Sequence, residues 1–596
     1  MKASVNALAS EVVKLHLQGA LPSVFDGDPH QLDTALAIGS EWFGLNHPIL
    51  DCLRIGVAVH HGSLPGPYRK EIERLLQLGA LKITISSPTL AQGLNLSASA
   101  LVIHSLWRSG KMIEPSEFRN IVGRAGRAFI DSSGLIVHPM FEPTWRARKN
   151  WSDLVADAQP RDMQSGLVRL LLELLVRMQR SLGETDLDRL LEYVTSAAAW
   201  SFPELADEAA ADASISRRTW TSQVASLDSA LLSLVHDVEI EQSDVAASLD
   251  AALSSSLWAR TLAHKNESVR LALRVGLLAR SEVIWRGSTP AQRKGYYLAG
   301  VGFQTGRQLD LYSDELNRHL RAADASIMLG HETQAVESII EFARIAFNVV
   351  PFTPKALPNN WEEVLADWLR GRQVVEIRSD DGFAVFEFIE ESLAYRLPWA
   401  LESVRVRATA HESADSSPWD LDTPDLGLAV AAVESGTLNR STSLLMRAGF
   451  ASRSGAIAAV DSTGATFTTL TEMNAWLNSE IVLERASDLG WPTLSTREVW
   501  ASFRARSTPS QQRTWHHEEH EVAAAWYGSY QPTPGAPYRA VSLDHDETVL
   551  ETSDAQRVGK LVSALNPRRQ GLLRVTARNV PNAVELSYLG PADLTF

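Results

Sequence analysis

Apolar and polar residues follow two rhythms along this chain, and the change of rhythm divides it. Within the first 150 residues, short apolar runs at 55–59, 81–85, 100–103 and 134–138 are bounded by polar turns and separated by stretches of helical spacing. Strands alternating with helices predict a parallel α/β sheet with its working loops at the strand ends. From about 150 to 410 the helical period takes over. In SGLVRLLLELLVRMQR the polar residues Arg169, Glu173, Arg177 and Arg180 mark one narrow wet stripe on a helix that is otherwise buried, with Glu173 and Arg177 spaced as an i, i+4 ion pair. In NNWEEVLADWLRG, Asn360 is predicted as an N-cap and Gly371 as the stop, and Trp361, Val364, Leu365 and Trp368 share a face. Both tryptophans are candidates for base stacking, with core packing the plainer use. Residues 411–427 read as an acidic Ser/Pro linker, and 428–530 as helical. Within that last stretch LLMRAGFASRSGAIAAV is spaced as a helical hairpin turning at Gly449, either a plain one or a helix-hairpin-helix element with amides for a phosphate. Residues 537–596 read as a small α+β module, short strands around one helix.

Three segments of the first region carry candidate chemistry: HHGSL at 60–64, TLAQGLNL at 89–96 and NIVGRAGR at 120–127. Hydroxyls and Gly93 in the second suit phosphate contacts. Arg124 and Arg127 flank the glycines of the third; taken alone they are two surface arginines at a turn, but a guanidinium is also a fixed fork of donors that follows charge spread over phosphate oxygens. No GxxxxGK[ST] phosphate loop occurs anywhere in the 596 residues.

In this order and at these spacings the segments resemble the second RecA-like lobe of superfamily 2 DExH/DEAD-type helicases, and within them the superkiller-like group that includes RNA-exosome and archaeal repair helicases. The resemblance implies a multidomain protein. It has a RecA-like helicase C-terminal lobe at 1–148, mostly α-helical accessory domains at 149–410 (winged-helix and ratchet-like), the linker, the helical stretch, and the small α+β module. It implies Arg127 as arginine finger and Arg124 as its catalytic partner. Asn120, Gly93 and Asn95 would join them in binding ATP, with Asn120 standing where the family usually has Gln. His61, Gly62 and Thr89 would contact nucleic acid. The family's first lobe brings the phosphate loop and an acidic pair for magnesium, so ATP and Mg2+ are expected only where a first RecA-like lobe is supplied. Asp207 and Glu208 form an acidic pair, but within Ala-rich helical sequence. The opening MKASVNALASEVVKLHL resembles the helix that follows the lobe's own first strand, so the resemblance describes a truncated lobe, inactive as a lone chain. The implied function is the C-terminal part of an ATP-dependent helicase or translocase acting on DNA or RNA with a protein partner that carries the first lobe. The alternative is an ATP-independent nucleic-acid-binding or scaffold subunit of a multi-protein defence or repair complex.

Charge qualifies this picture. A formal net charge of −15 opposes a polyanion, yet residues 51–150 hold 13 Lys and Arg against 7 Asp and Glu, a local balance of +6. The single cysteine, Cys52, excludes an intramolecular disulfide, and neither a signal peptide nor a membrane-length apolar run is present, so a cytoplasmic protein without membrane contact is expected. No metal site is expected. His60 and His61 are neighbours on a strand and point to opposite faces, while HHEEH at 516–520 formally fits a zinc-peptidase pattern with its two histidines one helical turn apart, but no acidic third ligand can be assigned and it reads as a solvated helix face.

Overall fold

The computed structural model describes residues 2–591 except 63, 88–97, 109–110, 127–133, 142, 157–164, 184–185, 206–207, 236–244, 356, 380–384, 415–426, 508–514, 543–546 and 563–571. The chain forms two compact units, Met1–Phe503 and Arg504–Phe596.

The first unit opens with α1 (Lys2–Leu17), α2 (Asp33–Phe43), α3 (Pro48–Arg54), β1 (Val57–His60), α4 (Gly66–Gln77) and β2 (Ile83–Ser86). Pro48 starts α3 at a position where its missing N–H costs nothing, and the His47 ring accepts from the Ile49 amide at 3.3 Å. β1 and β2 pair in parallel from Val57↔Ile83 to His60↔Ser86, with α4 as the crossover. Then follow β3 (Ala100–Val102), a short hairpin of β4 (Trp107–Arg108) and β5 (Lys111–Met112), α5 (Pro115–Val122), β6 (Leu135–Val137) and α6 (Trp145–Ala156). β3 and β6 are also parallel, from Ala100↔Leu135 to Val102↔Val137. The sequence pattern predicts one sheet. The described residues instead form two separate parallel pairs, because none of them supplies a strand that joins β2 to β3.

The two pairs also have separate cores. Around β1 a large cluster joins Ile38, Leu50, Val59 and Tyr68 to residues from far down the chain, including Leu445, Phe450, Ala456 and Phe503. Around β3 and β6 only a small one forms, from Ile103, Leu106, Ile113, Phe118 and Leu154, with Trp151 against it.

Helices then run to residue 507 in the described chain. α7 (Gly166–Leu182) is capped by Ser165 and stopped by Gly183 at φ +68°, and it buries Val168, Leu171, Leu174, Leu175 and Met178 behind the expected wet stripe. The expected Glu173–Arg177 pair is not made. Arg177 turns to Glu208 at 2.6 Å and lies over the Phe202 ring at 4.3 Å, while Glu173 is taken by Arg169 and Gln223. A partly buried tertiary partner with an aromatic platform outweighs an exposed pair on one helix. Deeper still, Arg280 and Asp228 form a bidentate pair at 2.6 and 2.7 Å, essentially without exposure, that ties the helix Glu267–Arg286 to the helix Ala210–Val235. Asn360 does not cap through its side chain; its amide donates to Glu363 and to the Arg378 carbonyl. Trp368 is buried with its indole N–H on the Val433 carbonyl at 2.8 Å and so presents no free face for stacking, while Trp361 is half-buried against the same core with Phe347 edge-on at 5.3 Å. Of the expected linker, 415–426 lie outside the described residues, and 411–414 continue the helix Leu397–Ala414.

The second unit departs from the expected α+β module. Its described residues form a closed antiparallel barrel of β7 (Trp515–Trp526), β8 (Pro537–Ser542), β9 (Thr548–Glu551), β10 (Arg557–Leu561), β11 (Leu572–Ala577) and β12 (Ala583–Pro591), ordered β10-β7-β12-β11-β8-β9. It begins on sequence expected to be helical, and HHEEH lies on β7. At about 3.3 Å per residue, His516 and His520 stand about 13 Å apart along the strand. The zinc-peptidase pattern is thereby ruled out, since it needs both rings on one helical turn.

Candidate nucleotide and nucleic-acid site

α5 delivers the GRAGR segment. Pro115 opens the helix, Asn120 sits exposed on its last turn, and after Val122 the chain keeps winding, with the amides of Gly123, Arg124 and Ala125 donating to Arg119, Ile121 and Val122. Gly126 then takes φ +92°, open to glycine at no steric cost. Its amide donates to the Ala98 carbonyl at 2.8 Å and the Ala98 amide donates to Arg124 at 2.9 Å, a parallel bridge that clips the turn to the chain emerging from TLAQGLNL. Gly134 packs against the same turn so closely that a Cβ there would fall 2.3 Å from the Ala125 carbonyl carbon and 2.6 Å from the Gly126 nitrogen. Two glycines therefore shape the turn for different reasons, one conformational and one steric. Arg124 is half-buried at its base. Arg127, Thr89, Gly93 and Asn95 lie outside the described residues.

The HHG segment ends β1, and its two imidazoles diverge as strand geometry requires. His60 is buried and its Nε2 meets Glu73 of α4 at 2.9 Å; burial holds its pKa below the ordinary histidine value. A neutral ring with its proton on Nε2 fits this geometry and leaves Nδ1 as an acceptor, which finds no partner. His61, 3% exposed, faces the other way, with Nε2 3.2 Å from Asn6 Oδ1 of α1. Its side chain is thus engaged inside the lobe, and of the two contact residues expected in this segment only Gly62 is exposed. Arg69 donates to the Gly62 carbonyl at 3.2 Å, and Glu390, on a π-helical stretch Ile389–Arg396, accepts from the Gly66 amide at 3.0 Å at the start of α4. The helical region therefore braces the loop that carries Gly62.

Glu41 near the end of α2, which sequence reasoning overlooked, reaches the helical hairpin of Arg440–Arg447 and Arg453–Thr463. Its carboxylate accepts from the Ser452 and Ser454 hydroxyls and from the Arg453 amide, at the start of the second helix. Burial raises its pKa, against those hydrogen bonds. Of the backbone amides at the start of that helix, the one of Arg453 is occupied by this carboxylate and the one of Gly455 by the Ser452 hydroxyl. Next to it the Arg453 guanidinium lies 4.1 Å over Trp368 and donates to the Trp368 and Gly436 carbonyls. Nothing in the local pattern of residues 33–43 announces a partner four hundred residues away.

Among the described residues, no group of three or more His, Cys, Asp or Glu is placed to hold a metal, and no helix is long and apolar enough to cross a membrane.

Residues 40–129 match the helicase conserved C-terminal domain. The chain is 42% identical over 83 residues to the ATP-dependent DNA helicase Hel308 of Aeropyrum pernix, covering 13% of this chain and 11% of that one. It is 35% identical over 89 residues to the antiviral helicase SKI2 of Saccharomyces cerevisiae, covering 14% and 7%. The lobe belongs to the superkiller-like superfamily 2 helicases. A further relative of this helicase lobe is the Hachiman protein HamB of Bacillus cereus, 34% identical over 113 residues, 19% of this chain and 10% of that protein. In each case the match spans about a tenth of the relative's length. The domain match falls within the first region; the helices from Gly166 onward and the barrel lie beyond it.

Proposed function

We propose that this chain supplies the second lobe of an ATP-dependent nucleic-acid translocase, with Arg124 and Arg127 completing a nucleotide site whose phosphate loop and magnesium carboxylates come from a first lobe outside these residues. The observation that carries the reading is the Ala98–Ala125 bridge, which ties the chain two residues after TLAQGLNL to the turn that leads into Arg127. A bridge at this point would couple loop and finger, as a site that senses nucleotide and nucleic acid at once requires. Arg127 would stabilise charge on the transferred phosphoryl oxygens with Arg124 beside it, while Asn120, Gly93 and Asn95 would border the nucleotide and Gly62 and Thr89 the nucleic-acid backbone. ATP and Mg2+ bring the phosphoryl chemistry; this chain contributes cations and backbone placement.

The test is nucleic-acid-stimulated ATP hydrolysis by the chain together with a protein carrying a phosphate loop and DExH pair. Arg127→Ala is expected to lower the rate by about 10³ to 10⁵. Robust hydrolysis by the purified chain alone, or full activity in the Arg127→Ala complex, would overturn the reading. A second reading is an ATP-independent binding or scaffold subunit of a multi-protein defence or repair complex. That reading predicts that the same substitution leaves every activity of the complex unchanged.

A further inference from the structure

α6 has two unlike faces. Inward, Trp151 stacks on His138 at 5.2 Å and meets Phe118 of α5 edge-on at 5.6 Å, with Leu154 buried beside them. Outward, Trp145 is 75% exposed, and Arg146, Arg148 and Lys149 project from the same turn and a half of helix. Among the described residues none of these three cations meets a carboxylate, and Asp153 is the one acidic residue of the helix. The Lys149 ammonium lies 5.2 Å from the Trp145 ring centre, so cation and indole are held side by side. Thr144 caps the helix by accepting from the Ala147 amide at 3.2 Å, and the positive end of the helix dipole lies at this same N-terminus.

In a chain of net charge −15, three unpaired cations around an open indole are a local reversal of sign. Solubility alone asks for no exposed tryptophan. We infer that this face of α6 binds single-stranded nucleic acid, with Trp145 stacking on a base and Arg146, Arg148 and Lys149 contacting the phosphates on either side. The inference rests on the helicase reading and extends it to residues outside the helicase motifs. Stacking favours a single strand over a duplex, whose bases already stack on one another, and three cations suit a backbone charged at every nucleotide. The inner face of α6 rests on α5, the helix that leads into GRAGR, so the strand held here is carried with the nucleotide-facing turn.

The test titrates the full chain into a fluorescein-labelled oligothymidylate of about 20 nucleotides and follows anisotropy over a range of salt. The triple variant Arg146→Gln, Arg148→Gln, Lys149→Gln is expected to bind at least about ten-fold more weakly and to lose about 2 from the slope of log K against log salt, at about 0.7 per phosphate. Trp145→Ala is expected to weaken binding about ten-fold with the slope unchanged, and Trp145→Phe to restore most of it. If the native chain binds and both variants match it in affinity and slope, the inference falls and the helicase reading stands. A native chain that does not bind the strand overturns both.

Discussion

Around β1 and β2 the lobe is packed from several directions: α1, α3 and α4 cover it, and helices between 440 and 503 complete a core that includes Leu50, Tyr68, Leu445 and Phe503. Around β3 and β6 the cluster among the described residues holds five buried side chains, and Val102 and Leu135 remain 65% and 60% exposed. Parallel strands are ordinarily covered on both faces, so the second pair is the less finished piece. It is also the piece that carries Asn120, GRAGR and α6. In this lobe the rigid half positions, and the thin half holds the groups assigned to chemistry. Segments that respond to ligands are drawn from the low-stability end of a structure, and this division fits that rule.

The sharpest way to break the comparison is Leu50→Ala. A fully buried leucine in the large core costs about 2–5 kcal/mol when truncated. Because that core is shared, hydrogen exchange should quicken in the hairpin 440–463 as well as in β1; a change confined to residues near 50 would mean that the two are separately stable. Next comes Gly134→Ala, whose added carbon meets backbone and not a yielding side chain. A cost of about 1–3 kcal/mol is expected, read as faster exchange at 98–102 and 135–138 with β1 and β2 unaffected. Spreading of the effect into β1 would show the halves to be coupled. The smallest effect is pH dependence in the rigid half. Burial lowers the pKa of His60, so the unfolded chain takes up the proton first as pH falls. Stability from this group is full above the ordinary histidine value of about 6.5 and is lost as pH drops from there through the lowered folded value. His60→Gln should flatten the acid limb of the thermal-unfolding profile, whereas an unchanged limb would assign it to other groups.

How much of this was legible depended on where each residue found its partner. Four of the lobe's six strands follow from short apolar runs and turn residues, and GRAGR, HHG and TLAQGLNL stand in the sequence as written. The wet stripe of α7 was likewise visible, because a helix carries its own period. What stayed hidden depended on distant partners: Arg177 leaving Glu173 for Glu208, Asn360 failing to cap, Glu41 filling the start of a hairpin helix. β7 was misread because Ala-rich, charged sequence suits a helix as well as a strand. Its usable signal was the period-two set Val522, Ala524 and Trp526, which turns toward the barrel core while His517, Glu519 and Glu521 face out. Thr89, Gly93, Asn95 and Arg127 remain sequence expectations.

The contact between Glu41 and Ser452 spans 411 positions of sequence. A ribosome making this protein finishes the lobe's motifs long before it makes the residues that close the lobe's core. Until residues 440–503 emerge, Ile38, Leu50 and Tyr68 lack part of their cover, and the nascent lobe exposes the kind of surface that chaperones bind. A boundary drawn at residue 148 therefore marks where the motifs end and leaves the core of the lobe unfinished.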